Sequence, residues 1–236
     1  MMPFSRTQRV LGAEAMQRLS AARVAVFGIG GVGGHSAEAL VRSGVGAIDL
    51  IDNDTVSLTN LNRQIVATNS TVGRLKVEAM RERLLDIAPN ADIRIHTCFF
   101  LPENADNFDF TAYTYVVDAV DTVTAKIEII RRSLACGTPV ISCMGTGNKV
   151  YPELLRLADI SKTSICPLAR VMRKELGLRG IKHLPVLFST EEPREPQGET
   201  EEQTTRRSLP GSTAFVPSVA GLMIAAKVVR DIAQIT

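Results

Sequence analysis

Gly28, Gly30, Gly31 and Gly33 stand together in the run Gly28-Ile-Gly-Gly-Val-Gly33, directly after the apolar residues 24–27. A G-x-G-x-x-G turn of this kind has a division of labour. Its first glycine permits a tight turn, its second lets backbone N–H groups approach a phosphate, and its third lets helix and strand pack closely. Asp52 follows at the end of the next apolar run, 47–51, where an acid accepts hydrogen bonds from ribose hydroxyls. Asp54, Asn60, Arg63, Gln64 and Lys76 come next, in a polar stretch. The glycine turn and the acid alone do not choose between NAD and ATP. Two cations change the balance: a nicotinamide cofactor has no need of them, whereas a triphosphate does, arginine offering a fork and lysine a point charge. Asp121, after a further apolar run, is a candidate magnesium ligand, because Mg²⁺ usually binds through one or two carboxylates plus substrate phosphates.

Positioning these residues requires a particular order of elements. The pattern predicts an N-terminal amphipathic helix over 6–20, a buried strand at 23–27, a helix over 31–43 and a second strand at 47–52. After a polar loop at 53–71 come a long helix over 72–88, ended by Pro89, and an alternating strand at 92–97. A buried strand at 115–121, a helix at 124–136 and a buried strand at 138–143 complete the alternation. Strands alternating with helices imply an α/β fold with a doubly wound, mostly parallel, Rossmann-like sheet, whose ligand lies at the carboxyl ends of the strands. Gly33, Asp52 and Asp121 would meet there. A single domain over 1–236 is expected, with a nucleotide-binding core at 20–150 and a C-terminal extension at 151–236. The extension holds an edge strand at 154–158, a basic helix at 167–177, a strand at 186–189 and a closing helix at 217–234. Residues 191–207 carry six glutamates, two prolines and almost no apolar side chain, and read as a mobile loop.

Composition narrows the classes. The chain has 236 residues, 45% of them apolar, enough for one sizeable core. A net charge of +2 gives no global basic field for nucleic acid. The local cluster Arg170, Arg173, Lys174, Arg179 and Lys182 is the candidate for phosphate contacts. Cys98, Cys136, Cys143 and Cys166 form no C-x-x-C pair, so the usual structural zinc spacing is missing. Cys136 and Cys143 read as core. With no signal segment and no membrane span, free cysteines point to the reducing cytoplasm. His35, His96 and His183 stand at no metal or triad spacing and read as structural or surface residues.

Taken in series, Gly28-Ile-Gly-Gly-Val-Gly33, Asp52-Asn-Asp54, Asn60-Leu-Asn-Arg63-Gln64, Val72-Gly-Arg-Leu-Lys76 and Asp118-Ala-Val-Asp121 resemble the ThiF/MoeB adenylyltransferase superfamily, relatives of the ubiquitin-activating enzymes. That resemblance implies ATP and Mg²⁺ as cofactors. It implies ribose binding by Asp52, phosphate contacts by Asn60, Arg63 and Lys76, and magnesium on Asp121. It also implies a homodimer in which Arg9 reaches the partner's ATP. Further motifs narrow the branch: Phe4-Ser-Arg6-Thr7, the stretch from Asp159 to Arg170, and Leu187-Phe-Ser189-Thr190-Glu191 resemble the tRNA threonylcarbamoyladenosine dehydratases. The implied substrate is tRNA carrying threonylcarbamoyladenosine beside the anticodon. Its threonyl carboxylate would be adenylated and then cyclised, with release of AMP. The alternative in the same superfamily is an adenylyltransferase for the C-terminal glycine of a ubiquitin-like sulfur carrier. It would need a protein groove and a working cysteine, Cys166 being the candidate, and it would bring a sulfur-transfer protein as partner. Cyclisation needs no cysteine, because proximity supplies the rate.

Overall fold

The computed structural model describes residues 3–197 and 210–235. Its centre is a seven-stranded sheet. In chain order the strands are β1 (Arg23–Phe27), β2 (Ala47–Ile51), β3 (Asp92–His96), β4 (Tyr115–Asp118), β5 (Val140–Cys143), β6 (Leu155–Asp159) and β7 (Pro185–Ser189). Their spatial order is β3-β2-β1-β4-β5-β7-β6. All neighbours run parallel except β6, which pairs antiparallel with β7 and forms one edge. The strands near the centre are buried almost end to end, as expected of a sheet covered on both faces.

One face is covered by α2 (Ala13–Ala21), α3 (Gly33–Arg42), α4 (Lys76–Ile87) and α7 (Phe215–Ala233), which bury Leu19, Leu40, Met80 and Ile224 against Val24, Val26 and Ile48. The other is covered by α5 (Val123–Ala135) and α6 (Pro167–Gly177), together with an aromatic cluster in which Phe27 meets Phe100, Phe108 and Phe110. Burial of that many apolar side chains on each face is what fixes strand register. After β1 the chain winds outward through β2 to β3, then returns to place β4 on the other side of β1. The crevice at this reversal, between the carboxyl ends of β1 and β4, is where such sheets bind ligands.

Three elements differ from the sequence expectation: the strand expected over 115–121 ends at Asp118, leaving Asp121 in the loop beyond it, and the other two are helices. The N-terminal helix is in fact two, α1 (Ser5–Leu11) and α2, broken at Gly12, whose φ of 87° lies outside the helical region. The helix expected over 72–88 begins only at Lys76. Residues 72–75 instead fold back on residues 54–56, through Val56 N–H to the Arg74 carbonyl and Gly73 N–H to the Val56 carbonyl. The edge strand, the basic helix, β7 and the closing helix lie within one or two residues of expectation. At the start of the expected mobile loop the chain is fixed: Glu191 is buried and its carboxylate accepts hydrogen bonds from the Val150 and Tyr151 amides. Positions 198–207 of that loop lie outside the described residues.

Candidate active site

The glycine turn connects β1 to α3, and its geometry leaves no room for side chains at two points. Gly28 has a φ of 88°, and a Cβ there would stand 2.7 Å from the Ala119 carbonyl oxygen. A Cβ on Gly33 would stand 1.8 Å from the Gly28 carbonyl oxygen, so the helix can start only on a glycine. Around Gly30, by contrast, nothing lies within 4 Å of a Cβ position. That open space, in front of backbone amides and the start of α3, is suited to an anion.

A cleft of about 460 Å³ opens at this turn. Gly28, Gly30 and Gly31 line it, with Asp52 and Asp54 from the end of β2. Asn60, Arg63 and Gln64 come from the segment before α4, Lys76 from the first turn of α4, and Asp121 from the loop after β4. Gly33 packs beneath the turn, outside the lining. Arg9 lies on α1, an exposed helix that buries none of its residues, and is not part of this cleft.

Asp52 accepts hydrogen bonds from the Ile29 amide at 2.6 Å and the Asp54 amide at 2.8 Å, which fixes the acid against the glycine turn. Burial pushes its carboxyl above the ordinary range, against the opposing pull of Lys76. The Lys76 side chain is buried, and its ammonium group sits 2.7 Å from Asp54 Oδ2. Arg63 donates from Nη1 to the Thr59 carbonyl and to Asn62 Oδ1, both at 2.9 Å. Asn60 is buried, its Oδ1 accepting from the Ser57 amide. Gln64 Oε1 is buried without a hydrogen-bond partner, a polar atom at the cleft whose need a ligand can meet. Asp121 is exposed at the mouth.

Sequence reading missed what lies beneath Asp121. Lys126 of α5 and Asp118 of β4 form a fully buried ion pair at 3.0 Å. Lys126 Nζ also donates to the Val120 carbonyl at 2.9 Å, and Ser142 Oγ donates to Asp118 Oδ2 at 2.5 Å. The signal was available: Lys126 shares the inward stripe of α5 with Ala125, Ile129, Ile130 and Ser133. Gly145–Gly147 after β5 and Pro210–Ser212 before α7 also line the cleft, as do Cys98–Phe100 and Leu168, and were not anticipated.

Cys143 is buried and lines the cleft, its thiol pushed up to about 12 by burial. Cys166 is buried at the start of α6. Cys136 is exposed, contrary to the core reading, because α5 ends just before it. In the basic cluster, Arg170, Lys174 and Lys182 are exposed, whereas Arg179 pairs with Glu175 and Arg173 bonds back to Thr163. His35 bonds to the Gly31 carbonyl, His96 to Asp49 and His183 to Asp159.

Comparison with known proteins agrees with this geometry. The ThiF family model matches residues 4–236. The tRNA threonylcarbamoyladenosine dehydratase of Bacillus subtilis is 42% identical over 238 residues, covering 97% of this chain and 94% of the relative. The Escherichia coli dehydratase is 37% identical over 204 residues, covering 83% of this chain and 76% of the relative. The crystal structure of E. coli tRNA N6-threonylcarbamoyladenosine dehydratase, TcdA, in complex with ATP superposes with a TM-score of 0.89 at 33% identity, over 98% of this chain and 93% of that one.

Proposed function

The chain belongs to the ThiF family, and from that premise we propose that it is an ATP-dependent tRNA threonylcarbamoyladenosine dehydratase. The observation that carries the reading is the near full-length likeness to proteins of that name, combined with a cleft holding the glycine turn, Asp52, Arg63 and Lys76 together. The sulfur-carrier alternative is not favoured: the C-x-x-C pairs are missing from the sequence, and Cys166 is buried.

The reaction follows from the chemistry of a carboxylate, which resists attack because its leaving group would be oxide. The threonyl carboxylate attacks the α-phosphorus of ATP, expelling pyrophosphate and forming an acyl adenylate. The carbamoyl group of the same substrate then attacks the acyl carbon, closing a five-membered ring. AMP leaves and one proton is lost, so the nucleoside loses one water overall. Asp52 holds the ribose, and the amides around Gly30 face the phosphates. Arg63 and Asn60 offset charge moving onto pyrophosphate, as does Lys76 on exchanging Asp54 for phosphate. Ring closure is intramolecular and needs no protein nucleophile.

The donor set suits magnesium. Asp121 offers a carboxylate at the cleft, and among the described residues no group of three or more His, Cys, Asp or Glu would cage a metal by itself. When bound there, the ion would neutralise phosphate charge. A homodimer with Arg9 acting in trans accords with the exposure of α1. Residues Arg170, Lys174 and Lys182 are the proposed phosphate contacts for tRNA. No helix among the described residues is long and apolar enough to cross a membrane, and the proposed location is the cytoplasm. The assignment of residues is tested by Arg63→Ala and Asp121→Ala. Each should lose tRNA-dependent AMP release while keeping the parent melting temperature; normal AMP release in either sinks that residue's role.

A further inference from the structure

Asn148 is the residue that the nucleotide reading does not use and the geometry singles out. It follows the cleft-lining stretch Gly145–Gly147 and has a φ of 59°, a left-handed conformation that asparagine tolerates better than most side chains. Its polar groups bind two distant stretches of chain. The Asn148 amide donates to the Gly211 carbonyl at 2.8 Å, and Asn148 Oδ1 accepts from the Gly211 amide at 2.6 Å. The Asn148 carbonyl accepts from the Arg194 amide at 2.9 Å. One residue thus pins both 194 and 211 to the loop after β5.

The neighbouring contacts stiffen the same corner. Lys149 Nζ donates to the Glu191 carbonyl at 2.5 Å, while the Glu191 carboxylate receives the Val150 and Tyr151 amides. A Cβ on Gly147 would stand 2.9 Å from Pro210 Cβ, so 147 and 210 are in close approach. Asn62 closes the circuit: its Nδ2 donates to the Ser212 carbonyl at 2.9 Å, and its Oδ1 accepts from Arg63.

We infer that Asn148 is a positioning residue for the acceptor side of the cleft. It holds the wall formed by 145–147 and 210–212, against which the carboxylate and carbamoyl groups of the modified nucleoside lie while ATP occupies the glycine turn. The inference rests on the dehydratase reading. In that reading Gly28–Gly31, Asp52, Asn60, Arg63 and Lys76 take the nucleotide; of the rest of the lining, which also includes Cys98–Phe100, Thr122 and Leu168, this wall is the part that Asn148 holds.

Three variants test it. Asn148→Gly keeps the left-handed conformation and removes the Oδ1 acceptor; Asn148→Asp keeps both. Gly147→Ala pushes Pro210 away without touching Asn148. Turnover of threonylcarbamoylated tRNA is measured beside ATP binding by calorimetry without tRNA. Loss of one neutral hydrogen bond corresponds to roughly a three- to ten-fold effect. Asn148→Gly and Gly147→Ala should raise the KM for tRNA by about that factor. ATP affinity should stay at the parent value and Asn148→Asp should restore the tRNA KM. An unchanged tRNA KM in both Asn148→Gly and Gly147→Ala overturns the inference, as does a parallel loss of ATP affinity or an Asn148→Asp variant as damaged as Asn148→Gly. Should the parent chain itself leave the modified tRNA unchanged, the dehydratase reading fails, and this inference with it. A parent that turns over normally beside indifferent variants refutes the positioning role alone.

Discussion

Lys126→Met removes one ammonium group and keeps the length of the side chain. In the parent, Lys126 and Asp118 are both fully buried, their charged atoms 3.0 Å apart. The ammonium also bonds to the Val120 carbonyl, so the change strands a carboxylate and a carbonyl together. Asp118 would keep the Ser142 hydroxyl at 2.5 Å and the Val120 amide at 3.3 Å, neither of which carries a compensating charge. Breaking a buried pair from one side costs about 3–5 kcal/mol. That is a large share of a typical total stability of about 5–15 kcal/mol. Adding Asp118→Asn replaces the stranded charge with a neutral amide, so the double variant should recover about 1–3 kcal/mol relative to additivity. Urea unfolding followed by far-UV circular dichroism measures each step. A single-variant cost below about 1 kcal/mol, or strict additivity in the double variant, would refute the view that an uncompensated charge dominates. The loop at stake carries Asp121, so AMP release should fall in both variants even under conditions where both are folded.

Two further changes separate turn geometry from ligand space, and one tests the acid limb. Gly33→Ala places a methyl group 1.8 Å from the Gly28 carbonyl and should lower both the melting temperature and ATP affinity. Gly30→Ala meets nothing within 4 Å and should spare the melting temperature while weakening ATP binding. Equal ATP affinity in the Gly30 variant and the parent would count against phosphate binding at the turn. Burial pushes the Asp49 carboxyl up, but hydrogen bonds from His96 and Arg23 outweigh it and hold the group below its usual 3.8. Glu38 is likewise held below its usual 4.5 by Arg83 and Arg42, despite burial. Carboxyls with depressed folded values contribute stability above their unfolded values and lose it as pH falls through the folded ones. Melting temperature should therefore hold from neutrality down to about pH 5 and fall below about pH 4. Asp49→Asn should flatten that fall; an unchanged slope would remove Asp49 from the explanation.

The fold was legible where local pattern and tertiary demand agree. Strands such as 24–27 are apolar end to end because the sheet is covered on both faces, and the glycine turn is dictated by close backbone contacts. Legibility failed where one residue overrides a pattern. Gly12 divides an amphipathic stretch that otherwise reads as one helix. Residues 72–74 form a turn, with Gly73 at a φ of 85°, and hydrogen bonds to 54–56 hold the segment out of the helix that follows. At the site, charged residues near the turn could be nominated from type and spacing. The pairing of Lys76 with Asp54 could not, since it depends on the return of a polar loop. The inward stripe of α5 marked Lys126 as facing the core, but its partner Asp118 lies on another element and was not legible from local pattern. The Asn148 corner joins positions 148, 194 and 211, a contact between distant segments that no local periodicity records.

The most direct test of the central claim is mass spectrometry of nucleosides from threonylcarbamoylated tRNA after incubation with this protein, ATP and Mg²⁺. The account predicts that the modified adenosine loses one water and that one AMP is released for each such event. An unchanged nucleoside mass, with ATP bound and the protein folded, would contradict it.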